Sequence, residues 1–166
     1  MKTHVLLALV GASDRFCCAG IYPRKRGGPS LSLRRHSGQT EIVQQLEAIN
    51  KKFDEVFNKH DATAVAAFYT ANAILSSPLG VASGRPAIEE YYTDVFQRFS
   101  PSDRFTKISY VYAFGDDLCA IGGWTLIING PHPPPHPAGG YLLNLYTRVV
   151  DTWKIRTAVL KYSTGP

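Results

Sequence analysis

The chain has 166 residues, 45% of them hydrophobic, which is enough for one domain with a buried core and a terminal extension. Its net charge of +5 is unevenly placed: residues 1–40 carry seven basic residues and one acid, whereas residues 41–166 carry eleven basic residues and twelve acids. The basic pI therefore belongs to the extension, and the near-neutral remainder excludes an electrostatic nucleic-acid surface.

Residues 1–39 read as a basic extension, disordered or targeting in character. Val5 to Val10 is apolar but only six residues long. A membrane span needs roughly 20, and a secretory apolar segment about 7–15. No membrane span is expected. The Arg-rich, acid-poor continuation imitates an organelle transit peptide. A cytoplasmic location is the first expectation, with organelle targeting or secretion through residues 1–39 left open. Cys17 and Cys18 lie in this extension and Cys119 in a strand-like run, so there is no disulfide framework and no zinc-site spacing.

The domain is expected over residues 40–166. Thr40 can cap a first helix, whose apolar stripe runs through Ile42, Leu46, Ile49, Phe53, Val56 and Phe57. On this reading Lys51, Lys52, Asp54 and Glu55 sit off the stripe. Asp61 caps a second helix with Val65, Phe68 and Tyr69 as its buried side. Ala73-Ile74-Leu75 is a short strand closed by Ser76-Ser77-Pro78-Leu79-Gly80. Ser83 or Gly84 opens a third helix, with Pro86 in its first turn. Its stripe is Ile88, Tyr91, Tyr92, Val95 and Phe99, and Pro101 prevents continuation.

Four strand-like segments follow. Phe105 to Phe114 alternates, with Ile108, Tyr110 and Tyr112 on one side. Leu118 to Asn129 is long and apolar, with Gly122-Gly123 marking a bend or bulge. After a Pro-rich loop from Gly130 to Gly140, Tyr141–Val150 and Thr152–Tyr162 form the last pair around Asp151. Helices first and antiparallel strands after predict an α+β domain with helices packed on one face of the sheet.

The run from Phe53 to Ala62 resembles the first helix and turn of the SnoaL-like group, within the nuclear transport factor 2 superfamily. The run from Ala64 to Leu75 resembles its next segment. Ser83-Gly84-Arg85-Pro86 is similar to the family's Gly-Arg entry to its third helix, and Trp124-Thr125-Leu126 and Trp153-Lys154-Ile155 fit its later strands. The resemblance covers nearly all of residues 41–162. It implies a cone-like curved antiparallel sheet wrapped around N-terminal helices, with a central pocket. It also implies a homodimer through the open sheet face. The family holds isomerases, cyclases and dehydratases beside non-enzymatic association domains, so fold alone does not assign chemistry.

Ketosteroid isomerase chemistry needs a carboxylate base and an oxyanion hole of a Tyr and a protonated Asp. By resemblance Phe53 stands in the place of that Tyr, Ser77 in that of the base, and Leu145 near that of the second acid. No carboxylate lies between Leu118 and Val150, so this catalytic set is absent. If the chain is an enzyme, isomerase, cyclase or dehydratase chemistry is the class to consider. His60 and Asp61 are the strongest acid–base candidates, but a solvated helix end explains His60 better and a helix cap explains Asp61 better. His132 and His136 frame three prolines, which forbid a helical metal pair and spread the two over roughly 12 Å. No metal is expected, and without a phosphate loop or dinucleotide fingerprint no cofactor either. Asn144, Tyr146 and Arg148 alternate on one strand and form a candidate polar patch. Together with Phe53, Tyr69, Ser77, Tyr92, Tyr110 and Trp124 they are the candidate ligand-binding residues. The expected function is binding of a small hydrophobic carbonyl compound, the alternative a non-catalytic homodimerisation or association module.

Overall fold

A computed structural model describes residues 37–130 and 134–163, so the reading of residues 1–39 falls almost wholly outside the described part, as does His132. Helix α1 spans Ser37–Phe57, four residues earlier than a Thr40 cap implies. Its buried face is Leu46, Asn50, Phe53, Asp54 and Phe57, at steps of four, three, one and three, which is one side of a helix. Asp54 therefore lies on the buried face, not off it. The apolar stripe located that face correctly, but Asn50 and Asp54 share it because each stands four residues after a buried neighbour.

Asp61 does cap α2 (Ala62–Ala66), accepting from the Ala64 N–H at 2.8 Å. Strand β1 (Tyr69–Ser77) turns through Ser77-Pro78-Leu79-Gly80 into a short β2 (Gly80–Ser83). Helix α3 (Arg85–Phe99) carries its proline in the first turn and buries Ile88, Tyr92 and Phe96; Ser100 ends it in the left-handed conformation. Three long strands and a final one follow: β3 (Pro101–Phe114), β4 (Asp117–Ile128), β5 (His136–Val149) and β6 (Thr152–Tyr162).

These strands make one six-stranded sheet in the order β2-β1-β6-β5-β4-β3. It is mixed, because β1 runs parallel to β6 while every other pair is antiparallel. Here the cone expectation is corrected. The sheet is neither closed nor strongly curled, and β2 and β3 remain its two edges. Closure needs the first and last strands to pair, and alternation along single strands carries no information about that. Among the described residues the interior is largely packed. Aromatic side chains fill it: Phe53, Phe57, Tyr69, Tyr92, Trp124 and Tyr146 are all buried together.

Two bulges in β3 decide which side chains point inward. Between Ser102 and Phe105 the register against β4 shifts, and Asp103 takes a φ of 53°. The extra residue turns Arg104 into the core and leaves Phe105 exposed. A second shift, between Ile108 and Tyr110, keeps Ile108 inward and sends Tyr110 and Tyr112 to the outer face. The expectation of Ile108, Tyr110 and Tyr112 on one side fails for this reason, since one inserted residue exchanges the faces of everything after it. Gly122 pairs with Ile108 at this bulge, where a Cβ would overlap the Lys107 carbonyl oxygen.

Edge strand β3 is protected by α1. Asn58 accepts from the Arg104 N–H at 2.8 Å and donates to its carbonyl at 3.2 Å, and Asp54 Oδ2 accepts from the Thr106 N–H at 2.7 Å. Helix side chains thus satisfy backbone groups that an edge strand would otherwise offer to another chain. No helix among the described residues is long and apolar enough to cross a membrane.

Candidate functional site

The bulge at Asp103 and the fourth-residue spacing on α1 bring one acid and one base together inside the protein. Arg104 Nε donates to Asp54 Oδ1 at 3.0 Å, with the two side chains only 7% and 11% exposed. The Arg104 terminal nitrogens donate to no side chain or carbonyl among the described residues. Its guanidinium instead faces the rings of Phe57 at 4.8 Å, Phe53 at 5.3 Å and Trp124 at 5.6 Å. Delocalised and weakly hydrated, a guanidinium tolerates such a place better than an ammonium would.

Asp54 is surrounded by donors: the Thr106 hydroxyl at 2.9 Å on Oδ1, the Thr106 N–H on Oδ2, and Arg104. Burial nevertheless outweighs them and pushes its pKa above the usual 3.8. Arg104 and the Thr106 bonds pull the other way.

Behind this pair lies a set of buried hydroxyls and amides. The Tyr69 and Tyr92 hydroxyls share a hydrogen bond of 2.8 Å. Tyr146 accepts from the Asn50 and Asn144 amides, both at 3.2 Å, and donates to Asn50 Oδ1 at 3.3 Å. Desolvation raises the pKa of Tyr69, Tyr92 and Tyr146 above 10, so all three are neutral donors at physiological pH. Asn144 Oδ1 is buried with no partner among the described residues.

Two small cavities border this interior. One of about 10 Å³ lies among Asn50, Tyr69, Tyr92, Arg104 and Asn144; one of about 30 Å³ lies among Ser77, Tyr91, Trp124 and Tyr162. Each has room for roughly one or two waters. A groove of about 650 Å³ opens between α1 and β3, where Asn50, Asp54, Asn58, Arg104, Phe105 and Ile108 meet. Another groove, of about 720 Å³, runs beside Gln97–Ser100, Asn129 and His136. It brings no buried charged group with it.

Of the residues singled out in the sequence, Phe53, Tyr69, Tyr92 and Asn144 line the smaller cavity. Ser77, Tyr92 and Trp124 line the other, where the Ser77 hydroxyl accepts from Tyr91 at 3.0 Å. Tyr146 is fully buried beside them. Tyr110 and Arg148 stand apart from this group. Tyr110 is 60% exposed on the outer face, and Arg148 is exposed, its guanidinium 5.9 Å from the Trp153 ring. His60 Nε2 lies 2.6 Å from the Pro101 carbonyl and its ring stacks on Phe96, tying the end of α1 to the start of β3. No group of three metal-ligating side chains occurs among the described residues. Asn50, Asp54 and Arg104 escaped the sequence reading. For Asn50 and Asp54 the signal existed, as spacing on α1; for Arg104 there was none, since only the bulge turns it inward.

Comparison with known proteins agrees with this architecture. A model of the SnoaL-like domain matches residues 50–158. A ketosteroid isomerase-like protein from Erwinia carotovora atroseptica superposes with a TM-score of 0.64 at 23% identity, covering 76% of this chain and 98% of its own. A nuclear transport factor 2-like superfamily protein from Salmonella enterica gives 0.64 at 16% identity, covering 76% and 96%. An NTF2-like protein with a cystatin-like fold from Novosphingobium aromaticivorans gives 0.64 at 13%, covering 77% and 86%. At these identities the structural likenesses establish the fold alone. No curated protein sequence matches the chain significantly.

Proposed function

The chain belongs to the SnoaL-like family of the nuclear transport factor 2 superfamily, and from that membership we propose that it binds a small hydrophobic carbonyl compound in the groove between α1 and β3. One observation carries this reading: a ligand-sized space borders the buried Asp54–Arg104 pair. Ligand sites usually enclose about 300–1,000 Å³, mostly apolar walls with a few converging polar groups. The groove fits that size, with Phe105 and Ile108 as apolar wall and Asn50, Asn58 and Thr106 as polar groups beside three cations, Lys51, Arg104 and Lys107, and three acids, Glu47, Asp54 and Glu55. The interior cavities do not, being smaller by more than tenfold.

A thermal-shift screen of the full chain against steroid, polyketide-like and aromatic carbonyl compounds tests it. A ligand at a hundred times its dissociation constant adds about 2.7 kcal/mol to folding stability. Phe105 is 61% exposed at the groove, so Phe105→Asp should remove the shift while leaving the unliganded midpoint in place. A flat screen, or a shift indifferent to Phe105→Asp, would sink this reading.

A second reading, association with another copy of the chain, is favoured by the outer sheet face. Cross-strand pairing lines up Tyr110, Ile121, Leu143 and Val159 in one row, and Tyr112, Cys119, Leu145, Thr157 and Ile74 in the next. Tyr110, Tyr112, Ile74 and Val159 are each 42–60% exposed, a contiguous apolar patch of a kind that single-copy proteins seldom display. With eleven basic residues against twelve acids in residues 41–166, two such faces meet without strong repulsion. Sedimentation at micromolar concentration should show a dimer that Leu143→Glu converts to a monomer. A monomeric parent chain would remove this reading.

A further inference from the structure

We propose that the interior binds one water molecule at a site of its own, between Arg104, Asn144 and the Tyr69–Tyr92 pair, and that this water joins two hydrogen-bond networks into one ring. The site is the cavity of about 10 Å³ lined by Asn50, Phe53, Tyr69, Tyr92, Arg104 and Asn144. A buried water needs roughly 10–15 Å³ of such space and makes about three hydrogen bonds. Three groups in this wall have bonding capacity left over.

Asn144 supplies an acceptor. Its amide nitrogen donates to the Tyr146 hydroxyl at 3.2 Å, and its Oδ1 is buried with no partner among the described residues. The amide cannot turn round to satisfy that oxygen. The Tyr146 hydrogen already goes to Asn50 Oδ1, and Asn50 is fixed by its own bond to the Leu46 carbonyl at 2.8 Å. A reversed Asn144 would set oxygen against oxygen. Arg104 supplies donors. Its Nε is engaged with Asp54, and its terminal nitrogens donate to no side chain or carbonyl among the described residues. The guanidinium carbon stands 5.3 Å from the Phe53 ring, which lines the same cavity. The tyrosines supply one more donor. Their two hydroxyls share a single hydrogen bond of 2.8 Å, so one hydroxyl hydrogen is left without an acceptor among the described residues.

The chemistry of these three groups selects the occupant. A halide accepts from Arg104 and the tyrosine but offers nothing to Asn144. An ammonium ion donates to Asn144 but meets the guanidinium as a like charge. Water accepts from Arg104 and the tyrosine and donates to Asn144 Oδ1, which makes three bonds and leaves no buried acceptor unpaired. It also ties elements together. Through protein groups alone, Asp54 with Arg104 and Thr106 links α1 to β3, and Asn50 with Tyr146 and Asn144 links α1 to β5, as separate networks. Asn50 and Asp54 stand one turn apart on α1. A water between Arg104 and Asn144 therefore closes a ring through all three elements.

The test is a high-resolution crystal structure of the full chain, with a parallel bromide soak, and magnetic relaxation dispersion of solvent nuclei on the parent and Asn144→Leu. The expected result is one water within about 2.7–3.2 Å of both Asn144 Oδ1 and an Arg104 terminal nitrogen, with no anomalous bromide peak there. In solution the count of long-lived waters should fall by one in Asn144→Leu. Bromide in the cavity would make it an anion site and overturn the proposal. So would an empty cavity, a water reaching only one of the two groups, or a direct bond from Arg104 to Asn144 Oδ1. An unchanged water count in Asn144→Leu overturns it as well. If Asn144→Leu does not fold, the density in the parent decides by itself.

Discussion

Replacing Arg104 by Met keeps an unbranched side chain and removes the charge. In the parent the guanidinium bonds Asp54 at 3.0 Å, with both side chains nearly buried, and faces three aromatic rings. Removing one partner of a buried pair costs about 3–5 kcal/mol, because the other charge is left uncompensated. For a folded region of this size that lowers the melting midpoint by ~10–20 °C. The loss should depend on pH. A carboxyl whose folded pKa lies above its unfolded value contributes stability that is complete below the unfolded 3.8 and disappears as pH rises through the folded value. Arg104 limits that rise in the parent. In Arg104→Met the folded pKa climbs further, so more stability is lost between acid and neutral pH. Denaturant unfolding at pH 7 should show the full deficit, and at about pH 3.5, where Asp54 is protonated in both forms, only a residue of about 1 kcal/mol from the lost ring contacts. A deficit below about 1 kcal/mol at pH 7, or an equal deficit at both pH values, would refute the argument that the pair holds a charged Asp54 in place.

The hydroxyl pair of Tyr69 and Tyr92 should behave non-additively: either Phe variant leaves one buried hydroxyl unpaired and costs about 1–3 kcal/mol, while the double variant costs less than the sum. A double-mutant cycle by urea unfolding measures the coupling, and strict additivity would deny the bond. Gly122→Ala should destabilise more than an ordinary strand substitution, because its Cβ meets the Lys107 backbone oxygen at the β3 bulge; an unchanged unfolding midpoint would contradict the bulge. Asp61→Ala removes the α2 cap and should cost about 1 kcal/mol, readable in the same unfolding curves.

Helices α1 and α3, the presence of α2, the Asp61 cap, the Pro86 start and the order of the long strands from β3 to β6 were legible in residue order. But α2 ends at Ala66, Tyr69 opens β1 rather than lining α2, and β3 and β5 begin at Pro101 and His136, earlier than expected. What was legible rests on local chemistry: a 3.6-residue apolar period, a capping oxygen, a proline's fixed φ, a run of alternating side chains. The SnoaL-like membership was legible for the same reason, as a succession of such local signals. The short β2 was not, since its four residues carry too little pattern. The openness of the sheet, the parallel β1–β6 contact and the filled interior were decided by tertiary structure, because they depend on which strands meet across long sequence separations. So was the candidate site. Asp54 and Arg104 lie fifty residues apart, and one extra residue at Asp103 turns Arg104 inward. Local sequence set the face of each helix, but the pairing of a buried acid with a buried base had to wait for the register between β3 and β4.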